Sequence, residues 1–222
     1  MRFLFITTSG EPVMQIAVKD LDPVQNYHLL IQTVLPRPIA WILTANVNEA
    51  SDGRAGAFNL APYSFFAPVC AEPPTLVVSI GKKPAGPEKD TYVNLQRDGR
   101  CVVHIASVDD LPALNDSSAT LDYGVSEIER QGLALCAEPG WSLPRLQQAP
   151  VAFLCRYQQQ VDIGPQAQHL VFLEVEQVWL NDDIATTGPR LQVDAAALNP
   201  LARLGGSEYA SLGELMKRPR PA

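Results

Sequence analysis

Apolar residues along the chain fall in short runs that favour strands over long helices. Residues 39–44 and 75–80 are almost continuously apolar, and the second run is rich in β-branched residues. The first run predicts a strand that is buried or nearly so, and the second predicts a compact strand. Residues 100–107 predict a further strand, with Val103 and Ile105 on one face and Val102 and His104 on the other. A lone histidine in such a strand is more typical of a packed residue than of a general base.

Turn residues divide the remaining apolar segments into hairpins. The polar loop 48–56 contains an Asp52-Gly53 pair, which favours a tight hairpin connection. Residues 151–163 and 168–180 are two long alternating segments separated by Gly164-Pro165. We expect these two segments to pair, and the resulting hairpin can close a barrel or serve a dimer.

Short helices are predicted where capping residues precede a helical pattern. These signals are Asp22-Pro23, then Asp90 or Thr91 with a stop at Gly99, a helix near 110–119, and Ser126 followed by Glu129 at capping-box spacing. The helices at 110–119 and after Ser126 are expected to cover one end of the sheet.

Composition limits the classes of function. The chain has 222 residues, of which 46% are hydrophobic, enough for one substantial core. Its net charge of −7 argues against a nucleic-acid surface, which needs a basic face. A phosphate-bearing small molecule stays possible, because a few local cations and backbone N–H groups can outweigh the overall charge.

Cysteine and histidine usage suggests neither a zinc site nor a disulfide framework. The four cysteines are far apart and form no CxxC pair, and only three histidines are present. Buried thiols in a reducing cytosol are the simple interpretation, and no apolar run approaches the ~20 residues that cross a bilayer. We therefore expect a cytoplasmic protein without membrane contact, whose domain patterning begins after Met14, with Met1 or Met14 as the start.

A few polar residues stand out within these apolar surroundings. Arg37 is held extended by Pro36 and Pro38, so its planar fork can face a phosphate or a carboxylate, or it can be an ordinary loop arginine. Asn59 and Ser64 can contact a flat heterocycle or satisfy local backbone groups.

The segment around Lys89 and Thr91 offers a phosphate site. A helix start presents free N–H groups and the positive end of its dipole, and a lysine and a hydroxyl stand beside it here. Ordinary helix capping predicts the same residues, so both interpretations stay open. No GxSxG, phosphate loop or GxGxxG motif is present, which indicates that reactive atoms would belong to a bound cofactor.

Several blocks together resemble the flavin reductase-like family with the FMN-binding split barrel. They are RPIAW at 37–41, NLAPYSFF at 59–66, a strand ending SIG at 79–81, KDT at 89–91 and NPLARLGGSEY at 199–209. The blocks occur in the family's order, and the similarity begins near Tyr27. The resemblance implies a mainly β fold, a β-barrel with peripheral helices. It covers residues 21–205, with 1–20 as an N-terminal extension and 206–222 as a tail.

The same resemblance implies an FMN cofactor and a homodimer with flavin near the subunit interface. It implies an NAD(P)H-dependent flavin reductase that passes hydride from NADH or NADPH to flavin and electrons to a small-molecule acceptor, with no catalytic side chain and no metal. Carried over by position, the flavin-binding residues are Arg37, Ile42, Leu43, Thr44, Asn59, Ala61, Tyr63, Ser64, Phe65, Ser79, Ile80, Gly81, Lys89, Thr91 and Arg203. Two rival hypotheses are an FMN-dependent electron carrier or oxygenase component without direct NAD(P)H activity, and a non-enzymatic barrel.

Overall fold

A computed structural model of the chain describes residues 3–6, 12–46, 57–84, 86–186, 188 and 190–221. The strands are Phe3–Ile6 (β1), Pro12–Gln15 (β2), Arg37–Pro38 (β3), Ala40–Ala45 (β4), Phe58–Tyr63 (β5), Phe66–Ala71 (β6), Pro74–Ile80 (β7), Arg100–Ile105 (β8), Leu135–Cys136 (β9), Arg145–Leu146 (β10), Val151–Ile163 (β11), Gln168–Leu180 (β12), Ala185–Thr186 (β13), Gln192–Val193 (β14), Ala202–Arg203 (β15) and Tyr209–Ala210 (β16). The α-helices are Pro23–Thr33 (α1), Asp90–Asp98 (α2), Leu111–Asp116 (α3), Glu127–Gln131 (α4) and Ala195–Leu198 (α5), and 3-10 turns occupy Val18–Asp20, Val108–Asp110 and Asp182–Ile184.

The main sheet has seven strands in the order β5-β4-β8-β11-β12-β7-β6, and all neighbours are antiparallel. Its two edge strands, β5 and β6, are consecutive in the chain and are joined only by Ser64 and Phe65. A flat sheet of this width would separate its edges by about 29 Å, whereas the link from Tyr63 to Phe66 spans at most about 11 Å. The sheet must therefore curl until its edges meet. No β5–β6 ladder forms within the described residues, so the barrel is split at this seam. This confirms the split barrel that the resemblance implies, whereas the position of the seam was not predicted.

Two apolar cores lie on the two faces of the curled sheet. The inner core contains Ile42, Val78 and Val103, and the outer core contains Trp41 and Leu43 under α3 and α4. All six residues of β4 are buried, which confirms the prediction from its continuous apolar run. The edge strand β6 is different, because its last four residues are exposed and a bulge interrupts its pairing with β7 between Pro68 and Cys70.

Two of the predicted helix starts are confirmed, and one is wrong. Asp22 caps α1 in a capping box with Gln25, and the Ser126 hydroxyl accepts from the Glu129 N–H at 3.3 Å at the start of α4. Neither Asp90 nor Thr91 caps α2, because the N-cap is Lys89 and its side chain makes no capping hydrogen bond. The carboxylate of Asp90 pairs with Lys83 instead, and the Thr91 hydroxyl accepts from Asn59.

The other local predictions are settled in part. Gly99 ends α2 with φ of 65°, a left-handed conformation that favours glycine. The long hairpin is confirmed, since β11 and β12 pair along their length. Residues 51–56 lie outside the described residues, and the predicted Asp52-Gly53 turn lies there with them.

His104 is a fully buried, hydrogen-bonded core residue, as its position in β8 predicts. Its Nδ1 lies 2.9 Å from the carbonyl oxygen of Trp41, and its Nε2 accepts from the N–H of Leu146 at 3.0 Å. A carbonyl can only accept, so Nδ1 carries the hydrogen and the ring is neutral. Burial lowers the pKa of His104 from 6.5 to about 4.

Protonation of His104 in the unfolded chain should make the protein acid-sensitive. Between about pH 6.5 and 4 the unfolded imidazole binds a proton that the folded one does not, so stability falls as the pH falls. From pH 7 to pH 5 this group should reduce the free energy of unfolding by about 2 kcal/mol. Urea denaturation at both pH values measures the effect. The His104→Gln variant should be less stable at pH 7 but lose less on acidification, and equal losses in both proteins would contradict the assignment.

Candidate functional site

A cleft of about 590 Å³ opens between the end of β5, the start of α2 and the segment 117–121. The strand supplies its floor, the helix start supplies one wall, and the segment 117–121 supplies the other. Its lining residues are Asn59, Ala61, Pro62, Tyr63, Lys83, Lys89, Asp90, Thr91, Ser117, Ser118, Ala119, Thr120, Leu121 and Glu127.

A second cavity of about 420 Å³ continues this cleft. Both are lined by Pro62, Tyr63 and Ser118. The second cavity adds Ser64 and brings in Arg203 from β15 with Tyr209 from β16. The two cavities form one groove, called here the main groove, that runs from Lys89 to Arg203.

The main groove brings together seven of the residues carried over by the resemblance: Asn59, Ala61, Tyr63, Ser64, Lys89, Thr91 and Arg203. The other positions lie outside its lining. Ile42 and Ile80 are in the inner core and Leu43 is in the outer core. The role of these three residues as flavin contacts stays a prediction.

Four further predicted positions have partners within the protein. The Ser79 hydroxyl accepts from Gln168 at 2.8 Å, and a side chain at Gly81 would stand 2.9 Å from the same carboxamide. Phe65 packs its ring 6.5 Å from that of Tyr27, and Thr44 lies buried beneath Asn59. Their role as flavin contacts also stays a prediction.

Lys89 is a cation without a counter-ion in the described part of the chain. Its Nζ lies 5.1 Å above the centre of the Tyr63 ring. Burial lowers the pKa of Lys89, since an ammonium is less stable away from water. The neighbouring Asp90 is already paired with Lys83. The start of α2 therefore presents positive charge that suits an anion.

Two more polar groups along the main groove lack partners. The Tyr63 hydroxyl and Nη1 of Arg203 are buried, and neither has a partner at hydrogen-bond geometry within the described residues, although the Thr91 hydroxyl lies close enough to that of Tyr63 to lower its pKa in part. Burial also raises the pKa of the Tyr63 phenol, which stays protonated and able to donate. Unpaired buried donors are costly in a finished protein, so these two atoms point to a polar ligand.

Asn59 lies in a buried network that fixes the wall of the main groove. Its amide donates to the hydroxyl of Thr91 at 2.9 Å and to that of Thr44 at 3.3 Å. Asn94 donates to the same Thr44 hydroxyl at 3.0 Å. The network connects β5, α2 and β4, so Asn59 positions the helix start whether or not it also contacts a ligand.

Arg37 uses its donors inside the protein. Its guanidinium donates to the carbonyl oxygens of Ile31 at 2.6 Å, Val34 at 3.0 Å and Leu204 at 2.7 Å. Its Nε donates to the Ser64 hydroxyl at 3.4 Å. Arg37 thus ties α1 and the C-terminal segment together behind Ser64, and it lies behind the main groove instead of lining it.

Removing this arginine should affect stability. Arg37→Ala would leave buried carbonyl groups without donors, so we expect a loss of about 3 kcal/mol in the free energy of unfolding. Chemical denaturation measures it. The exposed Arg156, which pairs with Glu174, is the matched control, and Arg156→Ala should cost less than about 1 kcal/mol. A stable Arg37→Ala protein would show that the guanidinium serves another purpose.

Sequence reasoning missed much of the groove lining. The segment 117–121 carries no motif, and neither does the proline-containing segment 82–88 in which Lys83 stands. Glu127 was also missed: its carboxylate accepts from the N–H of Leu60 at 2.9 Å, and burial raises its pKa. The capping signal at Ser126 was the only local sign that this region is ordered.

Two other structural features are absent from the described residues. None of their helices has the length and apolarity to span a bilayer. Within the same residues, no group of three or more His, Cys, Asp or Glu side chains is arranged to hold a metal ion.

Comparison with known proteins finds relatives over nearly the whole chain. An uncharacterized protein of Halalkalibacterium halodurans is 36% identical over 213 residues, which cover 94% of this chain and 97% of the relative. The uncharacterized protein YwrF of Bacillus subtilis is 32% identical over 94% of this chain and 97% of its own length.

Solved structures share the fold. Nitrilotriacetate monooxygenase component B from Bacillus cereus superposes with a TM-score of 0.82 at 30% identity, covering 93% of this chain and 98% of its own. The 2-nitrobenzoate 2-nitroreductase NbaA of Pseudomonas fluorescens superposes with a TM-score of 0.80 at 26% identity, and the match covers 93% of this chain and 96% of its own. At 17% identity, a putative flavin reductase with a split barrel domain from Shewanella frigidimarina gives 0.76 over 99% of this chain and 100% of its own, a likeness of fold alone.

The family comparison covers most of the curled sheet. The profile described as "Flavin reductase like domain" matches residues 32–198, which include both edge strands, α2 and the long hairpin. The chain therefore belongs to the flavin reductase-like family.

Proposed function

We propose that the chain binds FMN in the main groove and acts as an NAD(P)H-dependent flavin reductase. The observation that carries this proposal is the unpaired cation of Lys89 at the start of α2, in one groove with the unpaired buried donors of Tyr63 and Arg203. An anionic phosphate at one end and a polar ring system further along would satisfy all three.

The phosphate belongs at the α2 end of the main groove. Lys89 supplies the charge, and the first N–H groups of the helix point in the same direction as its dipole. The Thr91 hydroxyl accepts from Asn59, so its own hydrogen can be donated either to the phosphate or to the neighbouring Tyr63 hydroxyl. The ion pair between Lys83 and Asp90 keeps the nearby carboxylate from opposing the phosphate.

The ring system belongs at the other end, near Tyr63, Ser64 and Arg203. Arg37 holds the Ser64 hydroxyl in place from behind. Arg203 stacks on the Tyr209 ring at 4.3 Å, which fixes its guanidinium while Nη1 stays unpaired. Donors preorganised in this way stabilise negative charge as it develops on a ring.

FMN, when bound, would supply two-electron chemistry and accept a hydride from a reduced nicotinamide. The residues of the groove bind and orient the reactants, and hydride transfer itself requires no side chain to act as acid or base. Tyr63 and the segment 117–121 would keep water from the polar edge of the ring.

A homodimer is part of this proposal. Helix α1 has one buried residue, Ile31, and exposes Val24, Tyr27 and Leu30. Together with the C-cap Val34, these side chains keep 53–63% of their surface accessible. An apolar face of this kind favours burial against a second copy. Phe65, which lies beside Tyr27 and is 39% exposed, would join the same interface.

A second candidate is an FMN-dependent component that receives its electrons from another protein. The similarity to a monooxygenase component B keeps this candidate open. It predicts a bound flavin that NADH and NADPH do not reduce.

Removing the charge of Lys89 should weaken FMN binding selectively. Lys89→Met keeps most of the apolar stem but loses the ammonium, so we expect the dissociation constant for FMN to rise about tenfold. Riboflavin has no phosphate, and its affinity should stay the same. Fluorescence titration of both ligands measures the effect.

The exposed Lys19 provides the control, and Lys19→Met should bind FMN like the original protein. Equal losses of FMN and riboflavin affinity in Lys89→Met would place the phosphate elsewhere.

The activity itself is tested by absorbance. Purified protein mixed with FMN should show a bound-flavin spectrum that bleaches when NADH or NADPH is added without oxygen, and the faster donor is the co-substrate. A bound flavin that stays oxidised would favour the electron-carrier function. Absence of flavin binding would refute the proposal.

A further inference from the structure

A second groove opens beside the main groove, on the outer side of α2. Its empty volume is about 1080 Å³, and its surface is mostly apolar. Pro84 and Pro87 form one side, Val93 of α2 forms the floor, and Leu121 with Tyr123 forms the opposite side. We call it the side groove. The resemblance and the proposed reductase function leave it unused.

Tyr123 is held rigidly although half of it is exposed. Its hydroxyl lies 3.0 Å from Oδ1 of Asn94 and accepts from Nη1 of Arg97 at 3.0 Å, so both sides of the oxygen are engaged. The side chain nevertheless keeps 51% of its surface accessible. An aromatic ring that is fixed by its hydroxyl and half exposed in the lining of a groove offers a preorganised stacking surface for a flat, neutral ring.

The side groove is continuous with the proposed phosphate site. Lys83, Thr120 and Leu121 line both grooves. Val93 follows Lys89 by four residues, a distance of about one helical turn or 5.4 Å. A molecule with phosphate at Lys89 would reach the side groove with its next few atoms.

Two carboxylates line the side groove, and that of Glu88 is already bound to Lys82 and His169, so Asp122 is the one left for a ribose. Asp122 lines the side groove, and within the described residues its carboxylate has no hydrogen-bond or ion-pair partner. A carboxylate can accept hydrogen bonds from ribose hydroxyls, as in other nucleotide sites. An apolar slot with a stacking ring, a ribose acceptor and a phosphate site at one end matches a purine nucleotide better than a free aromatic compound.

We propose that the side groove is an adenosine subsite, in which the base of a dinucleotide stacks on Tyr123. The phosphates of flavin adenine dinucleotide would continue from the position of the FMN phosphate at Lys89, whereas those of a donor bound together with FMN would lie beside it, where Lys83, Thr120 and Leu121 line both grooves. This inference rests on the proposed function for the phosphate position. The adenosine can come from flavin adenine dinucleotide bound in place of FMN, or from the nicotinamide dinucleotide that serves as donor. Both present the same chemistry to Tyr123.

The test compares Tyr123→Ala with Tyr123→Phe, which keeps the ring. Affinities for FMN and FAD are measured by fluorescence titration, and the KM for NADH is measured with FMN bound. If FAD supplies the adenosine, Tyr123→Ala should weaken FAD binding about tenfold and leave FMN binding unchanged. If the donor supplies it, the KM for NADH should rise by a similar factor while both flavins bind as before. Tyr123→Phe keeps the ring, so this variant should bind FAD and NADH almost as the original protein does.

Two results would overturn the inference. One is an unchanged FAD affinity and KM in Tyr123→Ala. The other is an equal loss of FMN and FAD affinity, which would mean that Tyr123 supports the main groove through Asn94 and Arg97.

Binding of ADP, measured by calorimetry, separates this inference from the proposed function. A protein that binds no flavin but binds ADP, and loses ADP on Tyr123→Ala, would support the subsite and refute the reductase. The opposite result is a protein that binds FMN through Lys89, in which Tyr123→Ala leaves the affinities for ADP and FAD and the KM for NADH unchanged. That result would support the FMN site and refute the adenosine subsite.

Discussion

The short link between β5 and β6 is the constraint on which the rest of the structure depends. Ser64 and Phe65 alone connect the two edges of a seven-stranded sheet, so the sheet has to curl. Curling gives it a concave and a convex face, and each face needs its own apolar core. For this reason β4 is buried on both sides, and the end of β5 turns its polar residues toward α2 and the segment 117–121.

Around that seam, hydrogen bonds within the protein hold several polar groups in place without the help of a ligand. Asn59 and Thr44 position Thr91, and Arg37 positions Ser64 from the opposite side. Much of the hydrogen bonding near the main groove is therefore between parts of the protein. A few donor atoms, on Tyr63, Lys89 and Arg203, lack such partners, and they determine which acceptor groups a ligand must present.

Strong local patterns predicted the fold well, whereas the groove depended on distant residues. Continuous apolar runs revealed β4 and β7, and side-chain caps revealed α1 and α4. The cap of α2 was predicted wrongly because Asp90 found a partner in Lys83, which no local rule anticipates. Arg37 was expected to face a ligand, yet its acceptors come from positions 31, 34 and 204, which only the folded chain brings together. The segment 117–121 could not be predicted because a groove wall needs no particular sequence.

The exposed edge strand β6 has a consequence for how the protein associates. An unpaired edge is a template for adding strands from other molecules, which leads to open-ended aggregation. Pro68 has no N–H to offer such a strand, and the adjacent bulge bends the backbone away from a regular ladder. Continued strand addition along β6 is thereby discouraged. The open side of the barrel therefore keeps a free edge that does not act as a template for further strands.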